Sequence, residues 1–245
     1  MAPDSVRVWR GIRLTSQDPA AFFAELGSIF IPVTTQLQRL YGLTAYLPTV
    51  MPANKPSTVP DEIALVFYSS QAAYTAANAI VVSRTYQKLH SAVFAFPQST
   101  TGFPVALPAK PVVDTPYFMF PDKDDWYSGF AQVYVGSRKN GVSQNKFVAK
   151  IGKFLNDYKK GRPKGLGGAI AVISGHYVIL WEHWTSEDAS LKGRISDLAK
   201  LSEMEYQKPF EMTPVVDGIT AHYAGLTIKG GECLNMQFGR IPAKS

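Results

Sequence analysis

Cysteine is the residue that this sequence most clearly lacks. The chain has 245 residues and one cysteine, Cys233, so it forms no disulfide within itself and offers no cysteine-rich zinc site. Only four histidines are present, and no two of them stand at the helical or strand spacing that favours a shared metal ion. We therefore predict that the protein has no metal site.

Long apolar runs and strong charge are also missing. Hydrophobic residues make up 46% of the chain and charged residues 18%, which is typical of a folded globular protein and excludes a disordered one. No apolar run approaches the roughly 20 residues that span a bilayer. The first residues show no basic start followed by an apolar block, so we expect no signal peptide and a cytoplasmic protein.

The short signatures of several enzyme classes are absent as well. The sequence has no Gly-x-Ser-x-Gly elbow, no Gly-x-x-x-x-Gly-Lys-Ser/Thr phosphate loop and no Gly-x-Gly-x-x-Gly after a strand. Residues 164–168 are rich in glycine, but they follow a predicted helix and precede a predicted strand. That order does not place a phosphate at a helix N-terminus, so we interpret the segment as a loop.

What the sequence does contain is an alternation of strand and helix patterns. Apolar residues at every second position predict a strand over residues 6–14, and Asp18 before Pro19 marks a helix start. Ser143 caps a later helix, and residues 174–176 form a hairpin turn. The other predicted strands cover residues 42–50, 63–68, 130–135, 169–173, 177–184 and 209–216, and the other predicted helices cover residues 34–41, 70–94 and 187–206.

A proline-rich stretch separates two similar halves. Six prolines between residues 96 and 125 favour short extended pieces, over residues 105–107, 112–113 and 117–120, instead of a helix. Both halves follow the order strand, helix, strand, strand, helix, strand, which indicates a duplicated unit. The predicted domains are a first ferredoxin-like repeat over 1–115, a linker over 116–128, a second repeat over 129–217, and a C-terminal β-hairpin and tail over 218–245.

The third strand of the second half carries a resemblance to a known family. Its last residues, Glu182-His183-Trp184, are followed by Thr-Ser-Glu-Asp-Ala, and this stretch is similar to the third strand of the dimeric α+β barrel superfamily. That superfamily includes antibiotic-biosynthesis monooxygenases, polyketide cyclases, EthD-like proteins and the chlorite dismutase group. The resemblance implies an α+β fold in which two βαββαβ repeats form one barrel within the chain, with a cavity between sheet and helices.

Two histidines that are found in that superfamily are missing from this chain. Small monooxygenases of the superfamily often carry a histidine on the helix after the third strand, where this chain has Ala77 and Gly193. Haem-binding members use a helix histidine of the C-terminal repeat, and the helix predicted over residues 187–206 contains none. The resemblance therefore transfers no catalytic residue, and we predict no cofactor, with haem as a weaker alternative.

His183 is the main candidate for proton transfer. It lies near the end of an apolar strand and shares a face with Trp181, and an imidazole beside a large aromatic suits general acid–base chemistry near neutral pH. Its neighbour Glu182 points to the other face and cannot pair with it without a bend. Trp181, Trp184 and Glu182 are the substrate-binding candidates here. A hydrogen-bonded histidine in a barrel wall is the alternative.

The first half supplies a second group of candidates. His90 follows Tyr86 by four residues, so both lie on one helix face and are candidates to hand a proton to a carbonyl substrate. Packing of that helix under a loop is the alternative. Arg10 and Arg13 on the first strand are candidates to hold a carboxylate or an oxyanion, and Trp9 to line a cavity. A solvent-facing edge explains the two arginines equally well.

Basic residues are concentrated in one part of the chain. Between Arg138 and Lys164 there are nine basic residues and one acid, Asp157. The lysines that fall near one helix face are Lys146, Lys150, Lys153 and Lys160. Such a face meets phosphates or an anionic lipid surface, or it is simply solvated, and we prefer the solvated face. No aromatic residue interleaves these lysines, so nucleic-acid binding is not favoured.

Three functions remain open at this point. The first is a small-molecule enzyme without a cofactor that oxygenates, cyclises or isomerises an aromatic or polyketide-like carbonyl compound. The second is a non-catalytic binding or assembly protein, and a homo-oligomer is compatible with either. The third is a haem protein of the chlorite dismutase type. Fold resemblance alone is a weak basis for choosing among them.

Overall fold

The computed structural model describes residues 5–26, 30, 38, 41–78, 81–96, 98–120, 126, 130–191 and 195–212. Within these ranges the chain divides into two compact units. The N-terminal unit comprises the described parts of residues 5–54 and 60–101. The C-terminal unit comprises the described parts of residues 55–59 and 102–212.

The N-terminal unit is built on a four-stranded sheet in the order β2-β3-β1-β4. Its elements are β1 (Val6–Gly11), α1 (Pro19–Glu25), β2 (Leu43–Val50), β3 (Glu62–Tyr68), α2 (Gln71–Asn78), α3 (Val81–Val93) and β4 (Thr100–Gly102). Strand β3 pairs antiparallel with both β1 and β2. This is the strand order of a ferredoxin-like βαββαβ unit.

The C-terminal unit is built on a six-stranded sheet in the order β10-β7-β9-β8-β6-β5. Its elements are β5 (Val105–Ala106), β6 (Pro116–Phe118), β7 (Phe130–Arg138), α4 (Gln144–Lys160), β8 (Leu166–Ile173), β9 (Tyr177–Trp184), α5 (Glu187–Leu191), α6 (Ile195–Ala199) and β10 (Met204–Met212). Strands β10, β7, β9 and β8 repeat the order of the N-terminal sheet, and all their pairings are antiparallel. The predicted α+β class is therefore confirmed, whereas duplication and a barrel formed by both repeats stay predictions.

Helix α4 shows how the local sequence sets the elements. The side chain of Ser143 accepts a hydrogen bond from the backbone N–H of Lys146, and Gly161 ends the helix. The residues of α4 buried against the sheet are Phe147, Ile151, Leu155 and Tyr158, which recur at helical spacing. They pack on β8 and β9, so the side chains on one face of β9 belong to this core.

Two segments differ from what the sequence predicts. Residues 102–115, assigned above to the first repeat, lie with the C-terminal unit, where β6 pairs with β8. The helix predicted over 187–206 is wrong at its end, because α6 ends at Ala199 and β10 begins at Met204. Backbone pairing of β10 with β7 replaces the expected helical turns. The predicted helix over 34–41 lies largely, and the hairpin over 218–245 wholly, outside the described residues.

None of the helices in the described part of the chain is long and apolar enough to cross a membrane.

Candidate functional site

His183 lies on the face of β9 that points away from α4. Its cross-strand neighbours are Ala131 on β7 and Gly168 on β8, both small, so no bulky side chain flanks the imidazole within the sheet. The ring centroid of Trp126 is 5.5 Å from that of His183. His183 is only 6% exposed. The imidazole therefore sits at a buried, aromatic-walled position on the sheet.

Trp181 lies two residues earlier on the same face of β9. It is fully buried, between Val133 and Ile170 in the register of the sheet. Its indole N–H has no hydrogen-bond acceptor among the residues that the structure describes. A buried donor left without an acceptor costs about 1–3 kcal/mol, so an acceptor supplied by a ligand would recover that free energy.

Glu182 points to the opposite face of β9, as strand alternation predicts. Its carboxyl accepts hydrogen bonds from the phenol of Tyr158 on α4, from the amide of Gln132 at 2.6 Å and from the indole of Trp184 at 2.9 Å. Burial raises the pKa of Glu182, and the three hydrogen bonds lower it. Glu182 and Trp184 thus belong to the core beneath α4 and lie on the other side of the sheet from His183.

Trp9 belongs to a similar cluster in the N-terminal unit. Its indole donates a hydrogen bond of 3.0 Å to Glu62, and Tyr46 donates to the same carboxyl. Burial raises the pKa of Glu62 to about 7 against the lowering effect of both hydrogen bonds. Trp9 is therefore a core residue whose polar atom is already bonded.

His90 lies on α3 among aromatic rings of the N-terminal unit. It stacks on Trp9 and Phe30, with centroid distances of 5.1 and 4.6 Å. Burial, with a smaller effect of Arg7, lowers the pKa of His90 to about 3, so the ring stays neutral near pH 7. Tyr86 belongs to α3 too, but its side chain lies outside the described residues.

The two arginines of the first strand region have different surroundings. Arg10 is 2% exposed and lies on the face of β1 opposite Trp9. Arg13 follows β1 and bonds Asp61: its backbone N–H donates to that carboxylate at 2.9 Å, and its Nε lies 3.6 Å from it. Arg13 also donates to the backbone carbonyl of Gln17. These bonds give Arg13 a structural role in holding the chain after β1.

The four lysines predicted to share a face are on α4 and are exposed. Lys153 forms an ion pair of 2.6 Å with Asp157, and Lys146 lies 3.8 Å from Glu203. The Lys153–Asp157 pair is exposed on both sides and contributes little to stability, whereas Glu203 is buried. Among the described residues no three histidine, cysteine, aspartate or glutamate side chains form a cluster fit for a metal ion.

Several buried polar residues were not singled out from the sequence. Glu62, Tyr46, Gln132 and Tyr158 each take part in a hydrogen bond to a buried carboxyl. The partners are between 16 and 53 residues apart in the chain, so no local spacing marks them. A glutamate inside an apolar strand, as at Glu182, is a signal in the sequence for such a carboxyl, whereas Glu62 stands at the start of its strand beside Asp61 and carries no such signal.

Comparisons with known proteins give no family. No family model and no curated protein matches the chain. Among solved structures, a provisionally named monooxygenase from Fusobacterium nucleatum has 11% identity, a TM-score of 0.39, and coverage of 84% of this chain and 89% of its own. A provisionally named monooxygenase from Lactobacillus acidophilus has 9% identity, a TM-score of 0.37, and coverage of 83% and 90%. An anthrone oxidase-like protein has 9% identity, a TM-score of 0.39, and coverage of 86% and 91%. Likeness at these TM-scores supports no functional inference, and the fold described above rests on the strand order itself.

Proposed function

We propose that this protein is a small-molecule enzyme that moves a proton on an aromatic or polyketide-like carbonyl compound, with His183 as the acid–base group. The observation that supports it most is the buried indole N–H of Trp181, which has no acceptor among the described residues and lies on the same strand face as His183. Enolisation of a carbonyl compound is catalysed by a base, here the imidazole of His183, and by a hydrogen-bond donor to the carbonyl oxygen, here the indole of Trp181.

In the proposed step His183 removes a proton from a carbon next to the carbonyl group. The C–H electron pair forms the new C=C bond, and the carbonyl oxygen takes the negative charge of the enolate. Trp181 donates its N–H to that oxygen as the charge builds. Return of the proton to a different carbon gives isomerisation. Attack of the enolate carbon on a second carbonyl gives cyclisation, and attack on molecular oxygen, as the oxidant, begins oxygenation.

The face on which this chemistry is proposed favours planar, apolar substrates. The ring of Trp126 stands beside His183, and both His183 and Trp181 are shielded from water. Exclusion of water strengthens a hydrogen bond to a developing oxyanion. Glu182 and Trp184 face the other way, so in this proposal they hold β9 in place and do not contact the substrate.

The test follows the proton directly. Anthrone, an aromatic ketone with an acidic methylene group, is incubated with the protein in deuterated water, and loss of the methylene proton signal is followed by NMR. We expect the wild-type chain to accelerate the exchange and His183→Asn to lose at least about a hundredfold of that acceleration. We expect Trp181→Phe, which removes the N–H and keeps an aromatic ring, to lose about tenfold.

Two variants separate chemistry from folding. Trp184→Phe replaces an equally buried tryptophan on the opposite face and removes its hydrogen bond to Glu182, so it controls for loss of stability, and the exchange rate per folded molecule should stay unchanged. His176→Asn changes an exposed histidine in the turn before β9 and should also be neutral. An unchanged rate in His183→Asn would overturn the assignment of His183. Failure of the wild-type chain to accelerate exchange in anthrone and in 1,3-diketones would favour the binding or assembly alternative.

A further inference from the structure

A groove of about 870 Å³ runs along α4 in the C-terminal unit, on the side of the helix away from His183's strand. One wall is α4, and the other is the proline-rich segment of residues 109–113. We call it the α4 groove. The residues that line it are Ala109, Lys110, Pro111, Val113, Gln144, Asn145, Val148, Ala149, Gly152, Lys153, Asn156, Asp157 and Lys160.

The two walls of the α4 groove are tied together. The side-chain amide of Asn156 donates to the backbone carbonyls of Ala109 at 3.3 Å and Pro108 at 3.5 Å, and Lys159 donates to that of Leu107 at 3.4 Å. A side chain at Gly152 would place its Cβ 3.2 Å from Pro111, so glycine permits this close approach. These contacts join the proline-rich segment to α4 and so define the two walls of the groove.

The lining combines an apolar floor with a basic rim. Pro111, Val113, Val148 and Ala149 supply apolar surface, and Lys110, Lys153 and Lys160 supply positive charge. The only carboxylate of the lining, Asp157, is already bonded to Lys153 at 2.6 Å. Lys160 also acts on Asp157, because its charge helps to lower the pKa of that carboxyl. Three lysines stand against one carboxylate in the lining, so the groove keeps a net positive charge next to apolar surface.

We propose that the α4 groove binds an amphipathic organic anion, a molecule with an apolar body and a single carboxylate or sulfonate group. The apolar body lies on Val148, Ala149 and Pro111, and the anionic group lies between Lys110 and Lys160. Opposite charge and buried apolar area act together in such a site, whereas exposed lysines alone hold an anion only weakly.

A membrane surface fits the same residues less well. The large apolar side chains Phe147, Ile151 and Leu155 of α4 are buried in the protein's own core, and outside it the groove has only Val148 and Ala149 of this helix as apolar surface, so the helix presents no broad apolar face that inserts into a bilayer. The groove is also concave, which suits a single bound molecule. Its site is separate from His183, so this proposal stands or fails independently of the enzymatic one.

The test is titration calorimetry of the full chain with dodecanoate below its micelle concentration. We expect saturable binding of one dodecanoate, and no comparable binding of dodecyltrimethylammonium, which has the same chain and the opposite charge. The variant Lys110→Gln/Lys160→Gln should raise the Kd about tenfold. Ala149→Trp, which fills the groove from an exposed position, should abolish binding.

A matched double variant controls for net charge. Lys139→Gln/Lys150→Gln removes two exposed lysines that do not line the groove, and it should change the Kd less than twofold. If both double variants weaken dodecanoate binding equally, the groove is not the binding site, because binding would then follow the overall charge of the protein. Equal affinity for the cationic detergent would overturn the charge requirement. Binding to phosphatidylglycerol vesicles without saturable dodecanoate binding would overturn the single-molecule occupant. His183→Asn should bind dodecanoate as the wild type does.

Discussion

The indole N–H of Trp9 donates a hydrogen bond of 3.0 Å to Oε2 of Glu62, a carboxyl that is fully buried at the start of β3. Tyr46 donates to the other oxygen of the same carboxyl. Burial disfavours the charged form more than the two hydrogen bonds favour it, so the pKa of Glu62 is raised to about 7. The carboxyl therefore keeps its proton in mildly acidic solution, where an exposed glutamate is charged.

This pKa predicts how Glu62 changes the free energy of unfolding with pH. Between pH 4.5 and 7 the unfolded chain loses the Glu62 proton while the folded chain keeps it, so the contribution of Glu62 to stability falls as pH rises. The fall is on the order of 3 kcal/mol and is complete above the folded pKa. Glu62→Gln keeps an uncharged hydrogen-bonding group, so we expect its stability relative to wild type to increase by that amount between pH 4.5 and 8.

Urea unfolding of both proteins across this range measures the difference. Each variant is compared with wild type at the same pH, because His90 also makes the free energy of unfolding depend on pH. The pKa of His90 is lowered to about 3, so its contribution to that free energy rises with pH up to 6.5. Glu187→Gln makes the same change at an exposed position in the first turn of α5 and controls for the loss of a carboxyl group as such. A difference between Glu62→Gln and wild type that stays constant with pH would contradict the raised pKa.

The hydrogen bond from Tyr158 to Glu182 leads to a second prediction. Tyr158→Phe removes a donor from a buried carboxyl, and we expect it to lower the free energy of unfolding by about 1–3 kcal/mol. Loss of this bond also raises the pKa of Glu182 further, because the bond favours the charged form. The first effect is measured by urea unfolding, and the second by carboxyl-carbon NMR of Glu182 during a pH titration.

A double-mutant cycle tells this bond apart from general damage to the core. Glu182→Leu removes the acceptor, whereas glutamine would keep one, so the effects of Tyr158→Phe and Glu182→Leu should be non-additive if the two groups interact. Additive effects, or an unchanged pKa of Glu182 in Tyr158→Phe, would show that the phenol stabilises the protein only by packing.

Local signals account for the parts of the fold that were predicted correctly. Asp18 accepts bonds from the backbone N–H groups of Ala20 and Ala21, and Ser143 from that of Lys146, as capping residues do. Strand alternation was enough to separate Glu182 from His183, because it depends only on neighbouring residues. These features need no knowledge of distant parts of the chain.

Long-range packing accounts for the rest. Leu198, Leu201 and Met204 recur every third residue, as in a helix, yet Leu198 and Met204 reach the same core from α6 and from β10. Residues 204–212 form a strand instead of helical turns because they pair with the edge of β7, and the spacing of apolar residues does not reveal that edge. Likewise, Trp9 meets Glu62 because β1 and β3 pair in the observed register. Lys110 joins the α4 groove because Asn156 and Lys159 bond its segment to the helix and Asp114 bonds it to Ile173 of β8.

The glycine at residue 165 leads to the last prediction. Gly165 has a φ of +86°, and its carbonyl accepts a hydrogen bond of 2.8 Å from Thr185, which links the start of β8 to the end of β9. A Cβ at this position would lie 2.8 Å from that of Ala189. Gly141 has a similar φ of +80°, but apart from Gly141 and its two chain neighbours no atom of the described residues lies within 4 Å of the Cβ position.

The two glycines therefore form a matched pair. Gly141→Ala should cost about 1 kcal/mol of unfolding free energy, which is the strain of a positive φ alone. Gly165→Ala adds a steric clash to the same strain, so we expect it to cost at least about 1 kcal/mol more and to displace the end of β9 next to His183. Thermal and urea unfolding measure both costs. Equal losses would mean that α5 moves away freely, and the position of His183 would then not depend on this contact.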